Sequence, residues 1–244
     1  MKIIKFVTLI LTTFLANNIT LAETINYQAT GFNDNIREFK SNIRGIRGIR
    51  GIRGLRGACN QIQDDFALRL LVPKNTGKTL LSHPTLYWWI SQSLKNAEFT
   101  LIIDKLVEND NFEFSATPLA KKTIKMSVTK GIQAFPIQDF ELTPEVKYQI
   151  SLSIICHENY PSLDVIAIGS IVQVIASNQL TTELKTSSKD KWPAIYAKHG
   201  IWYDALDELS KQIKNSKNSS RLRRTRVELL QQVDLQKVVA AESK

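Results

Sequence analysis

Alternation of apolar and polar residues dominates the middle of the chain. Residues 99–103 and 148–156 follow it most clearly, and a period of two puts one face of a strand in a core. Further short strand-like runs lie at 67–72, 85–90, 112–114, 124–128 and 165–175, the last with Gly169 as a predicted bulge or bend. About seven strands between turn signals, without helices between them, predict an antiparallel β-sandwich over residues 58–178.

A tyrosine at the start of one strand narrows this prediction. Leu142 stands six residues before Tyr148. This arrangement resembles the tyrosine corner of immunoglobulin and fibronectin type III domains, in which the hydroxyl bonds back to the upstream chain. The predicted fold is therefore mainly β, an immunoglobulin/fibronectin-III-like sandwich followed by helices.

The hydrophobic period changes to three or four after about residue 187. Gly200 predicts a helix stop between two helices, and further helices are expected near residues 220–230 and 235–241. We therefore predict an α-helical C-terminal region over residues 187–242. Residues 196–206 resemble the helix–glycine–helix rhythm of tetratricopeptide repeats, but one imperfect unit is not an array.

The first 22 residues have the pattern of a secretory signal. Lys2 and Lys5 precede an apolar run of about ten residues, which is too short to span a bilayer, and Ala22 offers a cleavage site. The alternative is an uncleaved N-terminal anchor. No later segment is apolar and long enough for a membrane helix, so a periplasmic or secreted protein is expected.

Residues 23–57 are predicted to be a disordered leader that ends in the repeat IRGIRGIRGIRGLRG at 43–57. A period of three fits neither helix nor strand, and the repeat lacks the proline of collagen. We interpret it as a basic flexible linker that arose as a replication stutter. The alternatives are an electrostatic tether to an anionic surface and a collagen-like trimer.

The formal net charge of +9 bears on the partners. An exported basic protein meets anionic lipid headgroups or acidic polysaccharide rather than chromosomal DNA. The expected partner is thus an envelope protein or an anionic surface, and not nucleic acid. A second group of arginines lies near the C-terminus: Arg221, Arg223, Arg224 and Arg226. The simpler interpretation of this group is a solvated surface.

The chain has two cysteines, Cys59 and Cys156. In an exported protein this number favours one disulfide, which would tie the start of the sandwich to a core strand. The alternative is two buried free thiols.

The search for reactive groups predicts no catalytic, metal-binding or cofactor-binding residue. The three histidines share no metal-ligand spacing, and Gly-x-Ser-x-Gly is absent. Residues 76–79, TGKT, end like a phosphate loop but lack its first glycine. A non-enzymatic binding or adaptor module is therefore predicted, with an envelope-acting hydrolase as the alternative.

Aromatic residues in the helical region form a candidate interaction surface: Trp192, Trp202, Tyr203 and Asp204. Trp192 and Tyr203 are candidates to line a groove for sugar or peptide. The alternative is that these aromatics join the helices to the sandwich.

Four segments resemble, in order and spacing, the cyanobacterial domain-of-unknown-function family numbered 928. They are Gly57-Ala58-Cys59, His83-Pro84-Thr85, Tyr148–Cys156 and Tyr196–Leu206. The resemblance covers about residues 57–240, and Gly-Ile-Trp-Tyr-Asp-Ala-Leu is its most specific part. It implies an exported protein of uncharacterised role, from which no catalytic residue carries over. The tripeptide repeat looks like a departure from the family pattern.

Overall fold

A computed structural model describes residues 24–29, 57–63, 65–108, 114–157, 160 and 163–243 of the chain. The predicted signal segment 1–22 and nearly all of the repeat lie outside these residues. Within them, no helix has both the length and the apolar character that crossing a membrane requires.

The described residues form a β-rich part followed by helices, as predicted. The strands are β1 (Leu68–Leu70), β2 (Gly77–Thr79), β3 (Thr85–Ile90), β4 (Leu94–Glu108), β5 (Phe114–Val128), β6 (Gly131–Pro136), β7 (Lys147–Ile154) and β8 (Val165–Gln173). The helices are α1 (Asn178–Thr186), α2 (Trp192–Lys198), α3 (Trp202–Asn215), α4 (Ser220–Gln231) and α5 (Gln236–Glu242).

The strands are divided between two sheets. One has the order β1-β3-β6, and the other has the order β2-β8-β7-β4-β5. Most neighbours are antiparallel, but β2 runs parallel to β8. The short strand β2 lies outside the strand-like runs that the sequence indicated, because its ladder with β8 is a long-range contact that local patterning does not show.

The two sheets contact each other through large side chains. Trp88 of β3 meets Phe99 of β4 with 5.0 Å between ring centroids. Gly169 of β8 lies against the chain after β1, where an added Cβ would stand 2.7 Å from Val72 Cγ2. The β7–β8 register runs through Gly169 without a bulge. This glycine therefore permits close approach of the sheets, and the predicted bulge is wrong.

The predicted upstream bond of Tyr148 is present. The Thr143 backbone N–H donates to the Tyr148 hydroxyl at 3.1 Å, and Tyr148 is buried. Phe140 packs edge-on against the tyrosine ring, with 5.4 Å between centroids. The corner thus fixes the chain that leads into β7.

The disulfide between Cys59 and Cys156 is present, with 5.2 Å between the Cα atoms. Cys59 lies in a 3-10 turn over Gly57–Gln61, and Cys156 follows β7. Gln61 also exchanges two hydrogen bonds of 3.0 Å with the backbone of Lys95 in β4. The start of the β-rich part is therefore tied to two core strands.

The helical region begins earlier than the predicted residue 187. Helix α1 starts at Asn178, and the Ser177 hydroxyl caps it by accepting the Leu180 N–H at 3.1 Å. Its threonines weaken the helical pattern in the sequence, although the Ser177 cap is a usable signal. The predicted stop between α2 and α3 is confirmed, since Gly200 has a φ of 72°.

The helical region packs against both sheets. Helix α3 contacts β2 and β3, and Trp202 at its start bonds to the chain after β1. Strands β1 and β2 are edge strands of their sheets, and β6 and β5 are the opposite edges. Glu242 of α5 lies close to Gly131 at the start of β6.

The extended segment 24–29 lies against the helices, so this part of the predicted leader is docked rather than mobile. Gln232 brackets it, because its Oε1 accepts the Tyr27 N–H at 2.7 Å and its Nε2 donates to the Ile25 carbonyl at 3.0 Å. The Gln28 N–H donates to the Ala197 carbonyl at 3.0 Å. The Tyr27 ring meets Trp202 edge-on, with 5.0 Å between centroids.

Removing the disulfide should strongly destabilise the protein. Replacing both cysteines, Cys59→Ser with Cys156→Ser, frees a loop with a sequence separation of 97 residues. The free energy of unfolding should fall by about 4–5 kcal/mol because the unfolded chain gains entropy. Denaturant titration of the double variant and of the reduced natural protein measures this loss. Equal midpoints for oxidised and reduced protein would contradict it.

Loss of the Gln232 bracket should release segment 24–29. In Gln232→Ala two hydrogen bonds disappear, so the Tyr27 amide should exchange with solvent about ten- to a hundredfold faster. Hydrogen exchange measures this rate. Gln212→Ala is the matched control, since Gln212 bonds instead to the Lys189 carbonyl at 2.8 Å. Unchanged exchange in Gln232→Ala would show that other contacts hold the segment.

Candidate functional site

Three of the four predicted interaction residues lie inside the protein. Trp202, Tyr203 and Asp204 are 0, 2 and 5% exposed. Trp202 Nε1 donates to the Leu71 carbonyl at 2.8 Å, and the Tyr203 hydroxyl donates to the Ser170 carbonyl at 3.0 Å. These side chains are not exposed to a partner, because the first turn of α3 packs against both sheets. The alternative, that they join the helices to the sheets, is the correct one.

Trp192 belongs to a separate, smaller apolar cluster around Leu180, Ile195 and Ile201. It is half-buried, and its Nε1 donates to the Leu184 carbonyl at 3.2 Å. Lys189 Nζ stands 5.4 Å from the centre of its ring. Trp192 thus packs α2 against α1 rather than completing an aromatic groove with Tyr203.

Asp204 is a buried carboxylate at this helix–sheet junction. It accepts the Thr79 hydroxyl at 2.7 Å and the Leu80 N–H at 3.2 Å. Burial raises the pKa of Asp204 to about 6, although the hydrogen bonds from Thr79 and Leu80 act in the opposite direction. The nearby Asp207 carboxylate raises this pKa further. Asp204 therefore joins α3 to β2 through hydrogen bonds to a charge that is costly to bury.

A second buried carboxylate follows one turn later. Asp207 accepts the Tyr87 hydroxyl at 2.9 Å and pairs with Lys211 Nζ at 2.6 Å. Burial, followed by the Asp207 charge, raises the pKa of Tyr87. Lys211 is half-exposed and neutralises Asp207 from the solvent side. This network joins α3 to β3, so both aspartates have structural partners on a strand.

The arginine group near the C-terminus is divided by the fold. Arg226 is buried and pairs with Glu242 across α4 and α5, with 2.9 Å between Nη2 and Oε2. Burial lowers the pKa of Arg226, which the nearby Glu242 charge counteracts. Arg221, Arg223 and Arg224 are exposed. Only these three form the solvated basic surface that the sequence indicated.

The histidines do not assemble into a metal site. Among the residues that the structure describes, no group of three or more potential ligands converges. His83 Nδ1 lies 2.9 Å from the Ser82 hydroxyl, and His199 Nε2 lies 3.3 Å from Glu183 Oε2. Both therefore have local partners.

An open groove of about 350 Å³ lies along strands β4, β5 and β6. Its lining comes from β4, β5, β6 and the segment after β6: Leu101, Ile103, Leu119, Ala120, Lys121, Lys122, Phe135, Ile137, Gln138, Asp139 and Phe140. Most of these side chains are apolar, and Leu119 is 48% exposed. We call this set of residues the groove.

Charged residues stand at the rim of the groove. Lys122 of β5 forms an ion pair with Asp139, and its Nζ is 5.8 Å from the centre of the Phe135 ring. Lys122 pairs with the buried Leu101 across the sheet, so it points to the inner side of the strand. The adjacent Lys121 is exposed. The groove thus combines an apolar floor with a lysine-rich rim.

Sequence reasoning missed the groove. Its residues come from three strands and a connection, and β6 is not among the strand-like runs that the sequence indicated. One usable signal was Lys122, a lysine in step with Ile124 and Met126 on the apolar side of a strand. A cation at such a position indicates that this end of the strand is open to solvent.

The groove, one antiparallel sheet, one mixed sheet and a helical C-terminal region define a β-rich chain with an open sheet edge. Residues 48–243 match the family described as Domain of Unknown Function (DUF928), and the chain belongs to this family. No curated protein matches the chain.

One solved structure that matches is the crystal structure of Spo0M, a sporulation control protein from Bacillus subtilis. It is 8% identical, with a TM-score of 0.26, and the match covers 61% of this chain and 54% of that one. The chain therefore aligns with about half of the length of Spo0M.

Asp204 should make the stability of the protein depend on pH. Its folded pKa of about 6 exceeds its ordinary value of 3.8, so the folded state holds the proton more tightly. This contribution is complete below pH 3.8 and is lost as pH rises to about 6, a change of about 3 kcal/mol. Asp204→Asn removes the titration. The variant should therefore lose less stability than the natural protein between pH 4 and pH 6.

Denaturant unfolding at several pH values measures the difference between the two proteins. The groups facing Asp204 include Asp207, Lys211 and Tyr196, which remain unchanged in the variant. The exposed Asp234→Asn is the matched control and should follow the natural protein. If Asp204→Asn has the same pH profile as the natural protein, its carboxylate is not strained by burial.

Proposed function

We propose that this protein is a non-enzymatic binding or adaptor module of the cell envelope or periplasm and that it binds its partner in the groove. The observation that carries this proposal is an apolar groove of about 350 Å³ with charged side chains at its rim. Binding sites combine apolar lining with a few polar groups that set orientation and specificity.

The chemistry of the groove supports binding in particular. Phe135 and Leu119 offer apolar contact area, and Leu119 is 48% exposed in the absence of a partner. Lys122 and Asp139 offer an exposed ion pair, which a charged partner can replace at little cost because such pairs contribute only about 0–1 kcal/mol.

Export is supported by two features of the chain. The first 22 residues have the lysine, apolar and small-residue pattern of a secretory signal. The Cys59–Cys156 disulfide is typical of oxidising compartments. The proposed partners are accordingly an envelope protein or an anionic surface.

We also infer that the two sheets are a variant of the immunoglobulin/fibronectin-III-like sandwich. The bond from Thr143 to Tyr148 and the contact of Trp88 with Phe99 between the sheets support it. Such sandwiches commonly present binding surfaces at their loops and sheet edges, which is consistent with the location of the groove.

Filling the groove should abolish partner binding. Ala120 lines the groove and is half-buried, so Ala120→Trp should occupy the groove. Ala240→Trp is the matched control, because it makes the same substitution at an exposed position of α5, outside the groove. The tagged natural protein should recover a defined partner from an envelope fraction, Ala240→Trp should recover it equally, and Ala120→Trp should recover at least about tenfold less.

Two results would overturn the proposal. Equal partner recovery by Ala120→Trp and Ala240→Trp would exclude the groove as the binding site. Release of new products from envelope material by substoichiometric natural protein, but not by Ala120→Trp, would favour the alternative, an envelope-acting hydrolase.

A further inference from the structure

We propose that the groove takes an extended peptide segment of a partner protein, which adds a strand to the edge of β5 and alternates apolar with acidic residues. This inference rests on the proposed function, because it specifies the partner of the same groove. Three features of β5 lead to it: its position in the sheet, the different chemistry of its two faces, and its charge.

Strand β5 is the last strand of the five-stranded sheet. It pairs with β4 along one side, from Phe114 to Val128, and the strand order places no described strand on its other side. At 15 residues it is as long as β4. An edge strand presents every second N–H and C=O for pairing with another chain, so β5 can hydrogen-bond an additional strand.

The two faces of β5 differ in chemistry. Ala120, Lys122 and Ile124 pair with the buried Ile103, Leu101 and Phe99 of β4, so these three residues face the groove side. Lys122 forms its ion pair with Asp139 there. Lys121 and Lys125 lie on the other face and are exposed. An added strand would follow the same alternation. One set of its side chains would therefore meet the apolar groove, and the other set would lie beside lysines.

The charge of β5 selects the partner. The strand contains three lysines and no acidic residue, and β6 contains no charged residue. Opposite charges across neighbouring strands stabilise pairing, and like charges oppose it. Acidic residues four positions apart in the partner would therefore face Lys121 and Lys125.

A second copy of this chain is a poor occupant for the same reason. Antiparallel pairing of two β5 strands centred on Thr123 would place Lys121 of each copy opposite Lys125 of the other. Edge lysines commonly prevent such self-association. The lysines could serve only to prevent self-association, or they could also attract an acidic strand. In the first case an acidic peptide would not bind, and in the second case it would.

The probe is the capped, fluorescently labelled heptapeptide Val-Glu-Val-Ser-Val-Glu-Val, tested against the full chain after signal removal. Its glutamates match the spacing of Lys121 and Lys125, and its serine would face Thr123. We expect saturable one-to-one binding in fluorescence anisotropy. Hydrogen exchange should slow in residues 119–125 when the peptide binds, because the free edge becomes hydrogen-bonded.

Two altered peptides test the mode of binding. The same sequence with lysine in place of glutamate should bind at least about tenfold more weakly, since both cross-strand charge pairs become repulsive. The glutamate peptide with alternate backbone N-methyl groups should also lose at least about tenfold, because it cannot donate to the edge. Equal binding of the N-methylated peptide would overturn strand addition.

Charge reversal in the protein provides the complementary test. Lys121→Glu with Lys125→Glu should reverse the preference, so that the lysine peptide binds more tightly than the glutamate peptide. Lys185→Glu is the matched control, because this exposed lysine lies in α1, and it should leave the preference unchanged. The two single lysine variants should give intermediate results, which keeps the test usable if the double variant does not fold.

Other outcomes contradict the inference without deciding the proposed function. No binding of the glutamate peptide, or a dimer of the natural protein in which residues 119–125 are protected, would overturn strand addition. Binding to phosphatidylglycerol vesicles that depends on Lys121 and Lys125, without peptide binding, would indicate a lipid surface instead. In each case the comparison of Ala120→Trp with Ala240→Trp still decides whether the groove binds a partner.

Discussion

The rest of the structure depends on the first turn of α3, which packs against both sheets and joins the helical region to them. Trp202 and Tyr203 bury large rings there and still satisfy their polar atoms on backbone carbonyls of the β-rich part. Asp204 and Asp207 add hydrogen bonds to β2 and β3. Because buried charges are tolerated only with partners, this turn fits one position on the sheets.

The groove is formed by other residues than those that bond the first turn of α3 to the sheets. Leu101 and Ile103 of the core line it, and Lys122 with Asp139 forms the rim. The buried aspartates of α3 are bonded instead to β2 and β3.

Two long-range connections hold the first described residues in place. The Cys59–Cys156 bridge joins the start of the β-rich part to the end of β7 and reduces the entropy of the unfolded chain. Gln232, near the end of α4, bonds to segment 24–29, and Tyr27 of this segment contacts Trp202 of α3.

Local patterning by itself determined the strands around residues 99–103 and 148–154, the Tyr148 corner, the stop at Gly200 and the cysteine pair. Each depends on a short-range period, a backbone requirement or a count that the sequence displays directly. The sequence did not show that most of the predicted interaction surface is buried, because the pattern of an amphipathic helix does not indicate what covers its apolar face. Trp202 and Tyr203 could equally have faced a partner or the sheets.

Only the tertiary structure decided where the groove lies and which carboxylates are buried. Strand β2 depends on a distant ladder with β8, and Gly169 is required by the opposite sheet rather than by its own strand. The groove is formed by residues from three strands and a connection. Such relationships arise from packing between segments far apart in the chain, which no local period encodes.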